Sequence, residues 1–305
     1  MEIETSYEPQ LWRASSGRTV ARRLQRRAAE RELTRLVPGV YVDPDEWDRL
    51  DTRARHLTLV RAVTPRLPHD GVISHLSAAA LRGWAHIGPW PDRVQVTVPH
   101  GGRRRMSGVS VRSSPQPERA STSLDTYAGA RLADPVSTAV GAALDLQFPQ
   151  AVIVLDSALR GGLARTALTA FADRFDGRGR VHLDRVVQTS DVRHESVGES
   201  FCAARLAELG ITAVEPQHEF VSDGFVDRVD LWLPAERIVI EFDGRQKYTD
   251  PTMLAGRTPQ DVLWHEKQRE DRIRPGVVAF IRVRWWHLVD VDRLRALLRG
   301  HGLQV

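Results

Sequence analysis

Five side chains in the last third of this chain could do hydrolytic chemistry: Asp230, Glu241, Asp243, Lys247 and Lys267. Asp230 closes the run Val226-Asp-Arg-Val-Asp230, and the next two acids lie in Ile238-Val-Ile-Glu241-Phe242-Asp243-Gly244. Both runs read as strands. Side chains at i and i+2 of a strand share a face, so Glu241 and Asp243 are expected to point the same way. Asp230 reaches that face if its strand pairs as a neighbour. Converging carboxylates are costly unless something positive neutralises them. A hard divalent cation would do so, magnesium taking a few carboxylates while keeping several waters. Glu241 weighs most, because it follows Ile238-Val-Ile240 in a run that reads as buried, where an unpaired carboxylate should not be. The plainer alternatives are a turn at Asp243-Gly244 and a salt bridge from Asp230 to Arg228 or Arg237.

The lysines stand out for a compositional reason. The chain has two lysines against 41 arginines, and both lysines fall beside these acids. Arginine already meets any generic need for positive charge. A lysine here suggests a need for a compact ammonium on a flexible stem, able to reach water or phosphate where a planar guanidinium would not fit. Lys247 is the first choice by proximity; Lys267 is the rival, or an exposed partner of Glu270 or Asp271 on its own helix.

The elements that must position these groups read α-β-β-β-α-β. A helix from Ser196 to Leu209 stops at Gly210, strands fit at about 213–221, 225–233 and 236–243, a polar helix spans 259–274, and Val277–Val283 supplies another strand. Trp285 and Trp286 read as packing residues at that strand's end, with base stacking as the alternative.

The rest of the chain differs in charge. Residues 1–115 carry 19 arginines and 12 acids, whereas 116–195 and 196–305 are slightly acidic, so the basic excess lies at the start. That is where a nucleic-acid-binding element would put it. Arg18, Arg22, Arg23, Arg26 and Arg27 cover one broad face of a helix that runs into an apparent hairpin, Leu33 to Val42, with a Pro38-Gly39 turn. Basic helix then hairpin is the outline of a winged helix. Helices are expected at 52–64 and from Ser74, the presumptive N-cap, to Gly83, and strands at 93–98 and 109–112. Between those strands Arg103, Arg104 and Arg105 form a basic loop suited to phosphate. Residues 116–195 read as a mainly helical connector. Three domains are expected: 1–115, 116–195 and 196–305.

Cys202, the only cysteine, reads as a small buried apolar residue and excludes a multi-thiolate zinc site. No apolar run approaches the roughly 18 residues of a membrane span. The start lacks a signal-peptide pattern, so the expectation is a cytoplasmic protein with no membrane partner.

These residues resemble the PD-(D/E)XK nuclease superfamily, and more closely its very-short-patch-repair-endonuclease-like branch. The resemblance is carried by Glu199, Gln217, Arg228-Val-Asp230, Glu241-Phe-Asp-Gly-Arg-Gln-Lys247-Tyr248, the helix around Trp264–Arg272, and the strand leading to Trp285. It covers roughly residues 196–299 and implies an α/β restriction-endonuclease-like core that hydrolyses DNA phosphodiester bonds with magnesium or manganese. Asp230, Glu241 and the Phe242 carbonyl would hold the metal, and Glu199 would hold a metal-bound water or orient the site. Gln217 would complete it, with a lysine stabilising developing charge. The position two after Glu241, usually lysine in that motif, is Asp243. The first two thirds more loosely resemble the AbiEi-type antitoxin architecture through the basic helix, Leu36-Val-Pro-Gly-Val-Tyr41 and Ser74-His75-Leu-Ser-Ala-Ala-Ala-Leu81. This implies a link to phage defence or a toxin–antitoxin system. The alternative function is a non-catalytic DNA-binding regulator with a degenerate nuclease-like domain.

Overall fold

The computed structural model describes residues 8–14, 17–99, 106–113, 125–222, 224–244 and 259–305. The chain forms two compact units, one of Met1–Leu146 with Gly161–Leu183, the other of Gln147–Arg160 with Asp184–Val305. Two units, rather than the three expected, arise because the 116–195 helices do not pack as a body of their own. Helices α5 (Pro135–Asp145) and α7 (Arg165–Arg174) belong to the first unit, while α6 (Phe148–Arg160) packs in the second. Helical periodicity shows that a segment has an apolar face, but not which partner buries it.

In the first unit a three-stranded sheet of order β1-β3-β2 joins β1 (Trp12–Arg13), β2 (Thr34–Val37) and β3 (Val40–Val42). The β2–β3 turn places Pro38 and then Gly39 at φ 79°, the positive φ that a type II turn demands of its third residue. Helix α1 (Arg18–Ala29) buries only Leu24, which packs with Leu33 and Tyr41. The helices α2 (Pro44–Arg49) and α3 (Thr52–Val63) start at Asp43 and Asp51, whose carboxylates accept backbone N–H groups at the N-cap.

A five-stranded sheet of order β6-β5-β4-β8-β7 completes this unit: β4 (Val72–Ile73), β5 (Val94–Val98), β6 (Val109–Ser113), β7 (Thr126–Tyr127) and β8 (Ala130–Leu132). Helix α4 (His75–Leu81) follows β4 and closes at Gly83, φ 76°. Its N-cap Ser74 does not cap through its side chain as expected. The hydroxyl instead bonds Thr97 at 2.9 Å and His75 at 2.8 Å, because β5 is buried on both faces and its polar groups need internal partners.

The second unit is built on a four-stranded sheet, β12-β11-β10-β9. The strands β9 (Glu215–Ser222), β10 (Phe225–Leu233) and β11 (Ile238–Phe242) form an antiparallel meander, and β12 (Ala279–Val283) joins β11 in parallel. A parallel neighbour needs a crossover, supplied by the segment containing helix α10 (Pro259–Ile273). Helix α8 (Arg180–Thr189) precedes α9 (Val197–Glu208), which packs on α6 and against β10 and β11. Two short helices, α11 (Trp285–Leu288) and α12 (Val291–Gly300), end the chain. The expected order α-β-β-β-α-β is therefore present from α9 to β12. Among the described residues no helix is long and apolar enough to cross a membrane.

Candidate functional site

Helix α9 begins as a variant of the capping box. The Ser196 hydroxyl accepts the Glu199 N–H at 3.1 Å, and the Glu199 carboxylate reaches back to the Glu195 N–H at 2.9 Å. Ser196-Val-Gly-Glu199 carries that signature in sequence, so Glu199 has a structural task besides any chemical one. Two residues into the helix, Gly198 lies against Phe242 of β11, where an added Cβ would stand 2.1 Å from the ring. Only glycine lets the first turn of α9 come this close to the end of β11. Phe242 is held from another direction by the edge-on ring of Trp285, 5.3 Å between centroids.

The sheet beneath is not regular. Pairing between β9 and β10 runs from Phe225↔Ser222 to Trp232↔Glu215 but skips Gln217 and Asp230. Gln217 there has φ 55°, a left-handed conformation that costs a non-glycine residue about 1–3 kcal/mol. Val229 and Trp232, three apart, share one apolar cluster with Val239 and Ile273, so the alternation of side chains breaks between them. The break has a use. The Gln217 amide donates to Glu199 at 2.7 Å, and the Asp230 carboxylate accepts the Phe242 N–H at 2.8 Å. Cys202, fully buried on α9, has its thiol pKa pushed up by burial and further by the negative charge of Asp230 and Glu199. A single thiol that feels both carboxylates puts Asp230 and Glu199 on the α9 side of the sheet.

Glu241 has a different neighbour. It lies two residues from Val239, which packs with Ile273 of α10, and its carboxylate takes a short hydrogen bond from Arg269 of that helix. Asp243 pairs with Arg284 at 3.1 Å. The expected meeting of Asp230 with Glu241 and Asp243 on one face is thus not found: strand pairing is as predicted, but the irregularity at 217/230 turns Asp230 toward α9. The predicted partners of Asp230 are also engaged elsewhere, Arg228 with Glu195 at 2.9 Å and Arg237 with the Gly276 carbonyl at 3.0 Å.

Helix α10 is moored to the sheet by arginines. Arg269 also donates to the Arg228 carbonyl at 2.7 Å, and Arg272 holds both oxygens of the buried Asp227, at 2.7 and 2.5 Å. Arg269, Arg272 and Arg284 escaped the sequence reading, which gave special weight to lysine. The i, i+3 spacing of Arg269 and Arg272, which puts both on one helix face, was the available signal. Lys267 is exposed, and Glu270, its expected partner, is taken by Arg274 at 2.9 Å and Arg282 at 3.6 Å. Lys247 lies outside the described residues, as do Arg103, Arg104 and Arg105.

On α1, the arginines are mostly solvent-facing. Arg26 and Arg27 pair with Glu30 and Glu32, and Arg27 stands over the Trp12 ring. Arg18, Arg22 and Arg23 are exposed, with no acidic partner among the described residues.

The cation that the sequence required of these acids is partly supplied by the chain itself, as the guanidinium groups of Arg269 and Arg284. Among the described residues no three acidic, histidine or cysteine side chains are arranged to hold a metal ion. With Glu241 bound to Arg269, the described residues do not fit magnesium in this conformation. No protein-family model, curated protein or solved structure matches the chain.

Proposed function

We propose that the second unit is a nuclease that hydrolyses phosphodiester bonds in DNA, and that the basic helix α1 of the first unit contributes DNA binding. The observation that carries this is the cluster of Glu199, Gln217 and Asp230 at the break between β9 and β10. Three polar side chains from three elements converge there through a strained backbone. Strain kept in a sheet needs a reason, and functional sites are where it collects. In this reading Gln217 and the Glu195 N–H orient Glu199, and the Phe242 N–H fixes Asp230. Arg269 and Arg284 bring positive charge to the strand end where a phosphodiester would bring negative charge. Magnesium or manganese is the cofactor expected from the resemblance.

The deciding experiment incubates the purified protein with single-stranded, duplex and mismatched DNA, with and without magnesium or manganese. Cation-dependent cleavage that falls at least about a hundredfold in Asp230→Asn and in Glu241→Ala would support the nuclease. Tight binding to one duplex sequence, with no cleavage of any substrate by the wild type, would sink it.

A second reading draws on the Glu241–Arg269 and Asp243–Arg284 pairs. Acids already neutralised by arginine suit a domain that has kept the fold without the chemistry, namely a DNA-binding regulator of antitoxin type. The same assay separates the two.

A further inference from the structure

We infer that Arg269 is a resident counter-ion of Glu241 that a divalent cation must displace, so that cation binding at the end of β11 is an exchange. The proposal rests on the nuclease reading only for the expectation that a cation binds there.

The pair is built for release on both sides. Arg269 engages one oxygen of Glu241, and the other oxygen takes no hydrogen bond among the described residues. Its second anchor, the Arg228 carbonyl at 2.7 Å, belongs to β10 and does not depend on Glu241. When Glu241 lets go, the guanidinium keeps a protein acceptor. Its side chain is also 29% exposed, so water can take the vacated N–H. Nor does the helix depend on this contact for docking. Arg272, one turn on, grips Asp227 through both carboxylate oxygens, and Ile273 packs with Val229, Trp232 and Val239. The contrast is informative: the Arg272 pair is two-pronged onto a buried acid, the Arg269 pair single-pronged onto a half-exposed one. A guanidinium and a divalent cation cannot both occupy the same carboxylate oxygen. If the paired state outweighs the open one about tenfold, the apparent cation affinity falls by about the same factor.

The test is manganese binding, followed by calorimetry or by the electron paramagnetic resonance signal of free Mn2+, in the wild type, Arg269→Gln, Glu241→Gln and the double variant. Glutamine at 269 can still donate to the Arg228 carbonyl, which favours a folded protein. Arg269→Gln is expected to bind Mn2+ about tenfold tighter than wild type, and Glu241→Gln is expected to erase that gain. Arg272→Gln, which loosens α10 without touching Glu241, is expected to leave Mn2+ affinity unchanged. Equal affinity in wild type and Arg269→Gln overturns the proposal, as does a gain that survives in the double variant. Should Arg269→Gln not fold, side-chain nitrogen NMR of the wild type decides. Added Mg2+ must then shift the Arg269 guanidinium resonance and spare that of Arg272, and a spectrum in which neither moves refutes the exchange. Tight Mn2+ binding in Arg269→Gln without DNA cleavage keeps the exchange and removes the nuclease. DNA cleavage by a wild type whose Mn2+ affinity does not depend on Arg269 does the reverse.

Discussion

Replacing Gly198 by alanine sets two effects of opposite sign against each other. Alanine is the better helix former, and in a helix interior the exchange is worth roughly 0.5–1 kcal/mol of added stability. Against this stands the ring of Phe242, 2.1 Å from where the new Cβ would be, closer than any real contact. The ring cannot simply swing away, because Trp285 packs edge-on against it. Forcing α9 or β11 apart costs about 1–3 kcal/mol, the usual range for an extra methyl in a filled core. The clash wins. Gly198→Ala is expected to be less stable by about 1–2 kcal/mol, lowering the melting temperature by about 3–8 °C for a unit of this size. Urea unfolding followed by tryptophan fluorescence and circular dichroism measures it. The ring is the cause, so the cost should largely vanish in a Phe242→Ala background, a coupling of about 1 kcal/mol or more. An alanine variant at least as stable as wild type, or one equally destabilised with and without the ring, would refute the close-approach account. The same displacement would draw the Phe242 N–H away from Asp230.

Other expectations can be checked on the same protein. Gln217→Gly relieves the left-handed strain and Gln217→Ala does not, while both lose the 2.7 Å bond to Glu199. The glycine variant should therefore be the more stable by about 1 kcal/mol in denaturant titrations, and equal stability would argue against strain at this position. Asp156 and His194 form a buried pair at 2.7 Å, and Asp156 also accepts the Asp191 N–H at 2.8 Å. Asp156→Ala orphans both donors and should cost about 2–5 kcal/mol, against a smaller loss for Asp156→Asn. His75 has its pKa lowered to about 4, by burial first; nearby Asp145 opposes that shift and Arg112 adds to it. The unfolded chain binds this proton more readily, so the contribution of neutral His75 is complete above about pH 6.5 and drains away as pH falls toward 4. The loss is on the order of 3 kcal/mol, and pH-dependent unfolding of His75→Gln, which should lack it, is the check.

The order of elements from α9 to β12 was legible because its signals are local. Alternating apolar runs, the Pro275-Gly276 stop and the Ser196 cap each act within a few residues, and the predicted strand limits differ from the observed ones by only one or two positions. The basic helix, the Pro38-Gly39 hairpin and the buried Cys202 were legible for the same reason. The helices of 116–195 could be predicted as helices but not assigned to a body, since each buries a face that only a distant partner defines.

The candidate site divides along the same line. The sequence by itself determined that Glu241 ends a buried strand beside a neighbouring strand bearing Asp230, and that those acids need positive charge. Which charge they meet, and on which side, was decided by tertiary structure. Side-chain direction in a strand has a period of two, so one unpaired residue reverses every inference beyond it, and the break at Gln217 turns Asp230 toward Glu199 and Cys202. Arg269 lies 28 residues beyond Glu241, on a helix whose rotation about its axis is set by Ile273 and by the Arg272–Asp227 pair. Helix rotation on a sheet is fixed by packing across the interface, and no spacing within either segment encodes it.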